Sequence, residues 1–135
     1  MQSNTSHGTC TLKKQERVCS KNTIDKLFKG GQSRSVSAFP MRVVYLCDES
    51  NGKEACQILV SVPKKCFRRA VKRNRVKRQI REAYRLNKHI IAETMKSHEG
   101  KTLIMAFIWL DTNLHQTEEI TAKVKGVLHR ISERL

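Results

Sequence analysis

The sequence predicts an α+β fold, a small two-layer α/β sandwich in which helices cover a short sheet. Three observations predict it. Runs rich in β-branched and aromatic residues at 39–47, 56–62 and 102–110 read as strands. Apolar residues at helical spacing mark helices near 21–29, 69–85 and 118–134. The order is therefore helix, two or three strands, helix, strand, helix, and 135 residues suit one domain with a proper core.

Residues 1–11 are rich in Ser, Thr, Asn and Gly and read as a flexible tail, leaving 12–135 as a single domain. Residues 12–18, LKKQERV, are basic and read as an extended segment. Ser20 is placed to cap a helix over Lys21 to Lys29, with Ile24, Leu27 and Phe28 as its apolar stripe. Gly30 and Gly31 end it. Residues 33–39 carry a weak strand signal, the alternation Ser35-Val36-Ser37. Phe39 to Cys47 is a strand, DESNG at 48–52 is a turn, and Cys56 to Val62 is a strand that Pro63 stops. A helix is expected from about Arg69 to Arg85. Residues 87–98, with Ile90, Ile91 and Met95, prolong that helix or form another, and Gly100 closes it. Thr102 to Leu110 is almost wholly apolar and reads as a central strand buried on both faces. Thr117 is placed to cap a last helix, Glu118 to about Arg134, with early acids and later bases that suit its dipole.

Charge points to function. The net charge is +15, and residues 64–88 hold twelve Lys or Arg against one acid, Glu82. The other 110 residues carry only +4. A solvated helix face usually mixes both signs, because opposite charges one turn apart support the helix. Twelve bases with one acid repel one another unless a polyanion neutralises them, so nucleic acid is the expected partner.

Several classes are disfavoured. The cysteines, Cys10, Cys19, Cys47, Cys56 and Cys66, are odd in number and lack CxxC or zinc-finger spacing. They read as reduced thiols of a cytoplasmic protein. Residues 1–11 lack the apolar stretch of a signal peptide, and the run 103–110 is too short to span a bilayer. The five histidines are scattered, and no catalytic or metal-binding constellation is visible.

At about 100° per residue, Val76, Ile80 and Ala83 share one face of the basic helix, with Asn87 behind them and Tyr84 at the edge. That face packs on the sheet. Asn74, Arg78, Arg81 and Arg85 form a row on the opposite face, flanked by Lys77 and bordered by Arg75 and Lys72. Arginine forks engage two phosphate oxygens at once. Asn74 suits a ribose hydroxyl or base edge, or else a local cap at the helix start. Lys64, Lys65, Arg68 and Arg69 precede the helix in a loop.

The run Lys64-Lys65-Cys66-Phe67-Arg68-Arg69-Ala70, followed by Arg73-Asn74-Arg75-Val76-Lys77-Arg78 and Arg81-Glu82, resembles the signature of the bacterial ribonuclease P protein subunit. Leu12, Lys14 and Arg17 resemble the family's N-terminal pattern, and the likeness covers about residues 12–133. Ile24 stands where many members have an aromatic, and Pro63 where Ser or Ala is more usual. The resemblance implies a left-handed βαβ crossover and a ribonucleoprotein endonuclease that removes the 5′ leader of precursor tRNA. In that enzyme the RNA subunit, with magnesium ions bound mainly by that RNA, performs the chemistry. The implied partners are the ribonuclease P RNA and precursor tRNA, with no membrane and no obligate protein partner. Arg73, Asn74, Arg75, Lys77, Arg78 and Arg81 would lie at the RNA subunit or the leader end. Phe28, with Arg42, Val44 or Tyr45 from the sheet, would line a cleft for the single-stranded leader. Composition alone leaves open a structural RNA-binding protein such as a ribosomal component.

Overall fold

The computed structural model describes residues 27–28, 33–49 and 56–135. The expectations for residues 1–26, including the tail and Ser20, lie outside them. Leu27 and Phe28 are helical, as expected.

Four strands, β1 (Arg34–Ala38), β2 (Met41–Glu49), β3 (Cys56–Ser61) and β4 (Lys101–Trp109), form one sheet in the order β1-β2-β4-β3. The weak signal at 33–39 is thus a real edge strand. The second strand starts at Met41, later than expected, because Phe39 and Pro40 make the turn from β1. β2 pairs antiparallel with β1 and β4, while β3 pairs parallel with β4. The continuous apolar run is therefore the central strand, with Leu103 to Phe107 all buried.

The connection from β3 to β4 carries α1 (Ala70–Asn87) and the short α2 (His89–Met95). They are two helices: α1 runs two residues past Arg85, and Asn87 stays within it by donating Nδ2–H to the Ala83 carbonyl at 2.9 Å. Gly100, at φ 79°, turns the chain into β4, a conformation that favours glycine. α3 (Thr117–Arg134) closes the domain. Thr117 is its first residue and makes no side-chain cap; its hydroxyl instead accepts a bond from Gln79.

Strand alternation gives the sheet two faces. Val43, Tyr45, Ile58, Val60, Met105, Phe107 and Trp109 face one core, shared with α1, α2 and α3. Val44, Leu46, Ile104 and Ala106 face the other, where Leu27 is fully buried. α1 packs against α3 as well as the sheet, so its buried face is wider than expected. Tyr84 lies fully inside rather than at the edge, and Gln79 is buried too. Among the described residues, Cys47, Cys56 and Cys66 are free thiols, and no helix is long and apolar enough to cross a membrane.

Candidate nucleic-acid interface

The basic segment is displayed on a rigid support. Val76, Ile80, Ala83 and Tyr84 anchor α1, and eighteen residues at 1.5 Å each make a rod about 27 Å long. Its open side carries exposed Lys72, Asn74, Arg75 and Arg78, with half-buried Lys77, Arg81 and Arg85. Asn74 is the fifth residue of α1 and exposed, so it is not the cap at the helix start. Arg69 precedes α1 without a side-chain cap, and the first turn has no acid. The positive end of the helix dipole therefore adds to the cationic surface.

The loop before α1 alternates its duties. Lys64, Lys65, Arg68 and Arg69 are exposed, while Cys66 and Phe67 are buried between them. The Cys66 thiol donates to the Trp109 carbonyl at 3.7 Å. Arg73 turns back, its Nη1 donating to the carbonyls of Phe67 at 2.9 Å and Arg68 at 2.7 Å. Arg73 thus staples the loop to the helix. The sequence hinted at this anchor only through the apolar pair Cys66-Phe67 set between two basic pairs.

Arg85 forks onto Glu82, with Nε donating to Oε2 at 3.0 Å and Nη2 bonding Oε1. That hydrogen bond holds the Glu82 carboxyl below its usual range, with the arginine's charge assisting. The single acid of the segment thus offsets Arg85, and the net positive charge is concentrated toward the first half of α1.

Gln79 joins α1 to the loop ahead of α3. Its Nε2 donates to the His115 carbonyl at 3.2 Å and to Thr117 Oγ1 at 3.0 Å. His115 is gripped from both sides, with Nε2 2.6 Å from Asp111 Oδ2 and Nδ1 2.8 Å from Glu119 Oε2. Two carboxylates require both ring nitrogens to donate, which is the charged imidazolium. The Asp111 hydrogen bond accordingly raises the His115 pKa above its ordinary 6.5, against some desolvation and with help from Glu119. The same bond lowers the Asp111 pKa. Sequence spacing did not reveal this chain, since its histidine resembles the scattered others.

On the opposite face of the sheet, Leu27 covers Val44, Leu46, Ile104 and Ala106, leaving Phe28 45% exposed beside it. Arg42 is exposed and shares the parity of Val44 and Leu46 on β2. Tyr45, expected beside Phe28 in a leader cleft, is not on this face. It lies on the other face and is only 4% exposed in the α-covered core. Arg42 pairs with Ile108, and Ile108 with Ser61. That row brings Arg42 to the end of the sheet from which the chain leaves β3 for the loop at 64–69.

Among the described residues, no group of three or more His, Cys, Asp or Glu is arranged to hold a metal ion.

The sequence model of the Ribonuclease P family matches residues 12–132. The Ribonuclease P protein component of Porphyromonas gingivalis is 38% identical over 128 residues, covering 95% of this chain and 91% of that protein. Solved structures share the fold. An RNase P protein of Staphylococcus aureus, a mutant with defective mRNA degradation activity, aligns with a TM-score of 0.63 at 22% identity, over 89% of this chain and 90% of that one. The RNase P protein from Thermotoga maritima aligns at 0.57 and 21% identity, over 89% and 97% of the two chains.

Proposed function

The chain belongs to the ribonuclease P protein family, and from that membership we propose that it assists a catalytic RNA in removing the 5′ leader from precursor tRNA in the bacterial cytoplasm. As a ribonuclease P component it is the protein part of a ribonucleoprotein enzyme. The ribosomal alternative finds no support in these relatives.

In this reading the open side of α1 and the loop 64–69 bind the RNA subunit. Their Lys and Arg side chains neutralise backbone phosphates and release counterions. Phe28 offers a ring on which an unpaired leader base stacks, while Arg42 pairs with a leader phosphate. Bond cleavage belongs to the RNA subunit, whose own ligands hold the magnesium ions.

The observation that carries this reading is the Arg42–Ile108–Ser61 row. It sets Arg42 at the end of the sheet where β3 leads into the basic loop, which supports one RNA strand meeting both. Reconstitution tests it. Adding the protein to a bacterial ribonuclease P RNA at low magnesium should strongly stimulate cutting of precursor tRNA at the mature 5′ end. Tight RNA binding without stimulation would contradict it.

A further inference from the structure

The chain has four Phe, two Tyr and one Trp. Tyr45, Phe67, Tyr84, Phe107 and Trp109 are buried, which leaves only Phe28 and Phe39 in solvent. Phe28 lies beside the open face of the sheet. Phe39, in the turn from β1 to β2, is the more exposed of the two at 62%. A phenyl ring there forgoes the burial that stabilises the five buried rings, and a polar residue would serve the turn as well. A second apolar side chain stands close by. Leu110 is half-exposed, and its N–H donates to the carbonyl of Pro40, next to Phe39, at 2.9 Å.

The Phe39 ring is held from behind. It meets the His115 ring at 6.5 Å between centroids and 75° between planes, and His115 meets Trp109 of the α-covered core at 5.4 Å and 77°. Asp111 and Glu119 fix the imidazole between them, so the support does not turn. The same end of β4 also carries the basic loop. On the β3 side the Cys66 thiol donates to the Trp109 carbonyl, and on the β2 side Leu110 bonds Pro40. The two sides are two strand spacings apart, roughly 10 Å. Charge divides along this line. Lys64, Lys65, Arg68 and Arg69 lie in the loop, while Asp111 and Glu119 stand behind Phe39 with Glu118 beside them in the first turn of α3. Phosphates are drawn to the loop and kept from the acids, so a base is the part of a nucleotide that suits the ring.

We propose that Phe39, with Leu110 at its side, is a stacking platform for an unpaired nucleobase of the RNA subunit whose phosphates lie on the loop 64–69. The inference rests on the reading of that loop as RNA-binding. Every base has a π-face, so the platform selects an unpaired nucleotide rather than a sequence. It adds a base contact to a surface that otherwise offers its exposed cations to phosphates. Phe39 stands on the α-covered side of the sheet, so this platform is separate from Phe28 on the other face.

The test is ultraviolet cross-linking of the full chain to a bacterial ribonuclease P RNA, without precursor tRNA, with nucleotide-bearing peptides read by mass spectrometry. A nucleotide on Phe39 is expected. Phe39→Ala should remove it and weaken affinity for that RNA about fivefold or more. Phe39→Tyr, which keeps a ring, should retain both the cross-link and the affinity. No cross-link at Phe39 in a complex that covers Lys64 and Lys65 would overturn the proposal and leave the reading of the loop standing. An alanine variant that binds the RNA as the native chain does would also overturn it, and would leave the apolar pair to a protein partner. A cross-link that appears only once precursor tRNA is added would overturn the assignment to the RNA subunit. If the RNA covers neither lysine, the reading of the loop fails and the platform with it.

Discussion

Tyr84 of α1 meets Phe107 of β4 edge to face, with ring centroids 6.3 Å apart and planes at 64°. The helix that carries the row of cations is thereby locked onto the central strand, and the row keeps one spacing. Tyr84→Ala should destabilise the fold by about 3 kcal/mol or more, the usual cost of emptying a buried aromatic site. Urea denaturation reads this directly, and a loss well below 1 kcal/mol would mean the α1 core is far looser than its packing indicates.

Removing charge from the open side acts on binding rather than stability. Arg78→Ala with Arg81→Ala should flatten the salt dependence of RNA affinity, by about 0.7–0.9 in log–log slope for each phosphate no longer neutralised. An unchanged slope would remove both residues from the interface.

Arg73 has a different duty from its neighbours. Arg73→Ala frees the carbonyls of Phe67 and Arg68 and should speed amide hydrogen exchange in the loop 64–69, with the far end of α1 unaffected. Unaltered loop exchange would show that the staple is dispensable and that Arg73 is available for RNA.

Phe28→Ala should weaken the holoenzyme's binding of leader-bearing precursor more than that of mature tRNA, since only the precursor has a base to stack. Equal losses for the two RNAs would reduce Phe28 to a packing residue.

The His115 grip has a defined pH sign. The folded-state pKa of His115 is raised, so its contribution to stability is full below the ordinary 6.5 and is lost as pH rises through the higher folded value. Asp111 is shifted down, so its share is present above its ordinary 3.8 and is lost as pH falls through the lower folded value. The stability difference between the native chain and His115→Gln should therefore shrink as pH rises above neutrality. A difference that stays flat across that range would show that the ring is not held as an imidazolium.

The sequence disclosed the elements more readily than their register. β4 was legible as the central strand because Leu103 to Leu110 lacks polar interruption, the mark of a strand buried on both faces. β2 carries Val43-Val44-Tyr45-Leu46, apolar on both parities, so no alternation tells which side meets Phe28. Alternation alone puts Arg42 and Tyr45 on opposite faces; only the packing of Leu27 on Val44 and Leu46 tells which face lies beside Phe28. The cationic row on α1 was legible because bases and apolar residues fall on opposite sides of one helix. Gln79, the α1–α3 bridge, was not, since a polar residue at a buried position gives no periodic signal. The charged chain around His115 was hidden for a related reason. It depends on where the loop before α3 folds, which the spacing of Asp111, His115 and Glu119 does not settle outside a helix.

Lysine footprinting of the complex with ribonuclease P RNA tests the central claim most directly. The protein is acetylated with and without the RNA, and each lysine is read by mass spectrometry. The account expects several-fold protection at Lys64, Lys65, Lys72 and Lys77, with Lys123 and Lys125 on α3 modified as in the free protein. Protection concentrated on α3, with the loop and α1 left open, would contradict it.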